Sequence, residues 1–211
     1  MPPIHIDIGF IVTILVVVLP SLTIHEFAHG WTAYKFGDDT AKNMGRLTLN
    51  PIAHIDWFGT ILLPILIKFG YAKPVPVNFS VLTRWQILLV AIAGPVSNLL
   101  LAIILALAYH IPQLQNLPLA QNFIRLGVLL NIVFAIFNLI PIPPLDGSRV
   151  VYASLKSPEA IKIYSHFSQF GMLIIFGLVY LSYTNKFDVF DRIIYPVVGF
   201  FSSLFHVPLF Q

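Results

Sequence analysis

From Ile87 to Tyr109 the chain reads ILLVAIAGPVSNLLLAIILALAY, with no charged side chain anywhere along it. Within lipid no water is available to the backbone N–H and C=O groups, so such a run must satisfy them internally, as a helix. Roughly 20 apolar residues cross the hydrocarbon core, and this stretch is long enough. Other apolar runs follow the same logic: Ile8 to Ile24, broken only by Thr13, Pro20, Ser21 and Thr23, then Phe123 to Ile140, and Ser168 to Tyr183. Only 10% of the 211 residues are charged and 57% are hydrophobic, whereas a soluble domain carries about a quarter charged residues. The expected fold class is an all-α polytopic membrane protein with four to five transmembrane helices, forming a single membrane-embedded domain over residues 1–211. The tail 191–210 is open between a proline-bent fifth span and an interfacial helix.

The connecting segments are less regular. GRLTLN (45–50) alternates enough for a strand. WFGTILLPILIKFG (57–70) is apolar but short, and Pro64 interrupts it, which suits a re-entrant piece better than a span. YAKPVPVNF (71–79) cannot be helix interior, because Pro74 and Pro76 remove donors. It is expected to be an edge strand or extended loop paired with 45–50, a β-hairpin element between the first two spans. Three prolines in PIPPLDG (141–147) end the helix before them, and 148–167 reads as a short amphipathic helix and a turn.

Charge placement orients the chain. If 57–70 does not cross, loops 30–56, 68–86 and 141–166 share one side. They hold nine of the twelve basic residues: Lys35, Lys42, Arg46, Lys68, Lys73, Arg84, Arg149, Lys156 and Lys162. Loop 110–122 has none, so the side bearing His25 is expected to be cytoplasmic. The start, MPPIHIDIGF, lacks a positive n-region and is read as a retained membrane segment. A net charge of +3 without a basic, aromatic-interleaved face argues against nucleic acid as a partner. Absence of cysteine excludes disulfides and thiolate ligands.

Chemistry concentrates at the end of the first run, in HEFAH (25–29). Histidines at i and i+4 of a helix differ by about 40° in projection, so His25 and His29 face one point, as two nitrogen ligands of a zinc ion require. Glu26, one residue after the first ligand, is placed to take a proton from a water at such a metal. The competing reading is an interfacial polar cluster that simply ends the span. Ionisable groups at membrane depth are costly and usually face a cavity where they do work. Zinc needs a third protein ligand, and Asp146, Asp56, His54, Asp38 and Asp39 are candidates. Asp146 fits best, in a proline-held break at the end of another span, although it also reads as a helix cap. His5, His110, His166 and His206 read as interfacial.

HEFAH, together with NLIPIPPLDGSR (138–149) and AGPVSN (93–98), resembles the site-2 protease family of intramembrane zinc metalloproteases, over about residues 8 to 155. The likeness is to the compact form without PDZ or CBS domains. It implies zinc held by His25, His29 and Asp146, with Glu26 as the catalytic base. It also implies Asn138 close to the metal, contacting substrate or oxyanion; without it Asn138 reads as a helix–helix hydrogen bond. Asn98 is open between substrate contact and packing, and Gly94-Pro95 is expected to permit a kink or a close helix approach. His54 and Asp56 are open between gating or accessory roles and simple anchoring of the loop. The substrate implied is a transmembrane segment of another protein, locally unwound and pairing with the strand-like stretches. The rival reading is a non-proteolytic membrane metal-binding protein, either a transporter or an inactive protease-like scaffold. Oligomeric state is not legible.

Overall fold

A computed structural model describes residues 14–57, 73–184 and 189–210, together with Gly9 and Gly59. The described residues are overwhelmingly helical. A π-helical turn, Ile14–Val18, runs directly into helix α1, Leu19–Lys35. Pro20 cannot donate an N–H to the preceding turn, and the chain takes the wider π geometry there. Ser21 and Thr23 return their hydroxyls to Val17 O and Leu19 O, both at 2.7 Å, which satisfies them without water. Gly37, at φ 95°, turns the chain out of α1.

Helix α2, Arg84–Tyr109, is the centre of the molecule and packs on α1 and on α3, Pro118–Asn138. It begins with a reciprocal capping box: Gln86 N donates to Thr83 Oγ1 at 3.4 Å and Thr83 N to Gln86 Oε1 at 2.8 Å. Beyond α3 the chain breaks at the expected prolines, with a cis Pro143–Pro144 bond, and re-enters helix as α4, Asp146–Ser154. Helices α5, Pro158–Ser168, and α6, Gly171–Tyr183, follow, then α7, Val189–Phe205, with Pro196 inside it. Ala102 and Ala106 of α2, Val128 and Ile132 of α3, and Val198 of α7 form one buried cluster. A second joins Ala33 of α1 to Ile87 and Val90 of α2.

Two helices, α2 and α3, are long and apolar enough to cross a membrane. A third span exists if α5 and α6, bent by 55°, count as one. Outward-facing Ile104 and Leu107 of α2 are 60% and 67% exposed, an apolar surface that belongs against lipid. The protein is therefore membrane-embedded and multi-span, but the expected four to five spans become two to three among the described residues. The α-helical part of the expected first span covers 17 residues, Leu19–Lys35, and residues 10–13 lie outside the described set. The tail helix α7 also has 17 residues, shorter than a span.

No strand occurs among the described residues, so the expected β-hairpin is corrected. Residues 44–45 form a turn and 47–49 bends, and 73–78 runs without a ladder. The two segments do approach each other, but through a side chain: Arg46 Nη2 donates to Lys73 O at 2.9 Å and Pro74 O at 3.3 Å. Pro74 and Pro76 have no N–H to offer a partner strand. Lys73 N instead donates to His54 O at 3.0 Å and Asn78 N to Asp38 Oδ2 at 2.7 Å. Burial opposes the charge on Asp38, yet bonds from Thr40 and Asn78 offset it and hold the carboxyl below its ordinary range. The edge proposed for substrate pairing is thus already occupied at 73–75. The re-entrant stretch 57–70 lies outside the described residues apart from Trp57 and Gly59.

The capping box gives a direct test of helix start. Thr83→Ala is expected to lower stability by about 1 kcal/mol, read as an earlier midpoint in denaturant titration of micellar protein; an unchanged midpoint would show that packing alone sets the start of α2.

Candidate metal centre

Helix periodicity brings His25 and His29 to one face of α1, and the proline break delivers Asp146 to meet them from the first turn of α4. All three are buried, at 4%, 4% and 7% exposure. His25 Nε2 and His29 Nε2 each lie 3.1 Å from Asp146 Oδ2 and 3.1 Å from each other. The Asp146 side chain, in the first turn of its helix, faces the imidazoles.

The opposite edges of the rings decide what this triangle is. His25 Nδ1 lies 2.6 Å from Asn98 Oδ1, and His29 Nδ1 lies 2.7 Å from Val90 O. Both partners are pure acceptors, so each Nδ1 carries the proton, and in the neutral, metal-ready ring the lone pair of Nε2 turns inward. Two lone pairs and a carboxylate oxygen then meet with no donor among them. A metal ion, or a proton on one imidazole, reconciles three such atoms. Zinc ligands at about 2.0–2.2 Å in a tetrahedron stand roughly 3.3 Å apart, close to the observed edges, and two imidazoles with one carboxylate are a known zinc set. The residues present therefore fit a divalent ion of this kind. Among the described residues this is the one His/Asp/Glu group that can hold a metal ion.

Gly94 closes the site from α2. A Cβ there would lie 2.3 Å from His29 Nε2 and 2.6 Å from His25 Nε2, so hydrogen is the only side chain the centre tolerates. The close approach expected for Gly94 is made to the ligand pair itself. Pro95 follows it inside α2, removing one N–H from that turn. Gly147 similarly lets α4 start against α3: a Cβ would meet Leu139 O at 2.2 Å.

Glu26 is half-buried, and its Oε2 accepts a 2.7 Å hydrogen bond from Val75 N in the extended segment. Asn98 is wholly buried behind His25; its amide donates to Asn131 Oδ1 at 2.8 Å and Ser21 O at 3.3 Å. Its oxygen and both amide hydrogens are thus engaged on the side of the ring away from Asp146. Asn138 donates back to Phe134 O at 3.0 Å within α3, neither a cross-helix bond nor a contact with the triad. His54 lies 2.9 Å from Thr48 O through Nε2, while its buried Nδ1 has no hydrogen-bond partner among the described residues. Asp56 Oδ1 accepts from Gly59 N at 2.7 Å. Neither His54, Asp56, Asp38 nor Asp39 joins the metal group. Val75, Val90 and Asn131 escape sequence reasoning. The first two act through backbone atoms; Asn131 had a signal, a polar residue well inside an apolar run.

Comparison with known proteins points to one family. The model of peptidase family M50 matches residues 11–118 and 110–182. A candidate zinc metalloprotease of Bacillus subtilis (strain 168), YwhC, is 48% identical over 147 residues, covering 65% of this chain and 67% of its own. The candidate zinc metalloprotease Rip2 of Mycolicibacterium smegmatis is 32% identical over 187 residues, 85% of this chain and 71% of its own. Rip2 of Mycobacterium tuberculosis (strain H37Rv) is 30% identical over 175 residues, 81% of this chain and 67% of its own. No solved structure matches. With the motifs, the buried His-His-Asp group and the family match in agreement, the chain belongs to peptidase family M50, the site-2-protease-like metalloproteases.

Proposed function

We propose that the protein is an intramembrane zinc endopeptidase that hydrolyses peptide bonds in or near transmembrane segments of other membrane proteins. The observation that carries this is the convergence of His25, His29 and Asp146 at 3.1 Å beside Glu26, in a chain with membrane-length helices. His25, His29 and Asp146 would hold zinc. When bound, the ion supplies a Lewis acid for the scissile carbonyl and acidifies a water.

The chain's own residues supply the rest. Glu26 takes the proton of the attacking water and returns it to the departing amine, which balances the hydrolysis. The Val75 N–H fixes one oxygen of that carboxylate at 2.7 Å and so orients it. The absence of a side chain at Gly94 keeps α2 from filling the centre. A helical substrate hides its carbonyls in its own hydrogen bonds and must unwind locally before attack. The surplus of basic residues in the loops on the His25 side supports a cytoplasmic position for that side. The rival, a metal-binding membrane protein without turnover, is disfavoured because the carboxylate next to the first ligand is present and oriented.

Two substitutions test the reading. Glu26→Gln is isosteric, and it should retain zinc while lowering cleavage of a membrane-anchored reporter by about 10²–10⁴-fold; equal product from both proteins would sink the protease assignment. Gly94→Ala places a methyl among the ligand atoms. Metal analysis of the purified variant should fall from about one ion per chain to background with helical circular dichroism unchanged, and full occupancy would show that the ion sits elsewhere.

A further inference from the structure

Behind the metal centre lies a polar chain buried between three helices, and its direction can be read. Asn131 of α3 and Asn98 of α2 are both 0% exposed. Asn131 Nδ2 donates to Gly127 O at 2.8 Å and to Ser21 Oγ at 2.9 Å. Gly127 O has only lone pairs to offer, and the Ser21 hydroxyl spends its own proton on Val17 O at 2.7 Å. The Asn131 amide can therefore sit one way round, with Oδ1 toward Asn98. That oxygen accepts from Asn98 Nδ2 at 2.8 Å, and the other Asn98 hydrogen goes to Ser21 O at 3.3 Å. The Asn98 amide is thereby oriented in turn, presenting Oδ1 to His25 Nδ1 at 2.6 Å.

We infer that Asn131 is a positioning residue for the metal centre: acting through Asn98, it holds the proton of His25 on Nδ1 and keeps the Nε2 lone pair aimed at the ion. The physical need is specific. An isolated amide can flip, and a flipped Asn98 would offer His25 an N–H instead of an oxygen. The imidazole would then carry its proton on Nε2, where it blocks ligation. His29 needs no such relay, because its acceptor is the backbone carbonyl of Val90, which has no alternative orientation. Hydrogen-bonded partners of ligating histidines commonly govern metal affinity by about 10–100-fold. A polar pair linking helices can also be mere packing glue, so the test must separate the two roles.

The inference rests on the metal site proposed above and is tested on the full chain in detergent micelles. With ¹⁵N-histidine labelling of the metal-free wild type, His25 should show the Nδ1–H tautomer. Zn2+ affinity, read by competition with a chromophoric chelator, should fall about 10–100-fold in Asn131→Leu. Asn131→Asp keeps an oxygen facing Asn98 and should stay within about 3-fold of wild type. Ile132→Ala, a neighbouring buried residue of the same helix with 0% exposure, should lose stability and keep its affinity. Wild-type affinity in Asn131→Leu, or an equal loss in Ile132→Ala, overturns the relay. So does an Nε2–H tautomer at His25 in the wild type, a reading that needs no variant to fold. A wild type that takes up no zinc refutes the function proposed above, whereas normal zinc uptake with the wrong tautomer refutes the relay alone.

Discussion

Two imidazole lone pairs and a carboxylate oxygen held 3.1 Å apart in a dry interior repel one another unless a cation lies between them. Much of the surrounding architecture serves to keep these atoms from escaping that repulsion. Helix α1 fixes two of them by periodicity, and backbone and amide acceptors behind the rings forbid the alternative tautomers. Beyond the proline break, Asp146 opens α4 with its carboxyl against the two imidazoles. Helix α2 presses so close that only glycine fits against the pair. A site in which every easy relaxation is closed off is preorganised for its ion, which is how metal sites gain both affinity and selectivity.

The metal group itself was legible in the sequence because helical spacing is a rigid ruler. HEFAH needs only a helix to bring its histidines together, and prolines around Asp146 advertise a fixed break. What spacing cannot reveal is the handedness of hydrogen bonds between helices distant in sequence. Asn98 could be read as substrate contact or packing; its actual place behind His25 depends on the rotation of α2 against α1. Asn131 carried the weak signal of any amide within lipid, where such a group is retained only if it finds a partner. Asn138, in the recognisable motif, donates to Phe134 O of its own helix.

The hairpin expectation failed for an identifiable reason. Alternation in 45–50 and extension in 73–78 are both real, but a ladder needs donors, and Pro74 and Pro76 have none. The remaining amides are distributed among three different parts of the protein: Lys73 to the His54 carbonyl, Val75 to Glu26, Asn78 to Asp38. Proline here does more than prevent helix. By removing every second donor it leaves Val75 a single N–H to direct at the candidate base, and neighbours with none to compete for it.

Helices α1 and α4 each pack on α2 and hardly on one another, yet they supply opposite parts of the ligand triangle, 117 residues apart along the chain between His29 and Asp146. An ion bound there acts as a clasp on that large loop, and its binding energy stabilises the docked arrangement of α4. Removal of such an ion would then loosen the docking of α4 on the bundle.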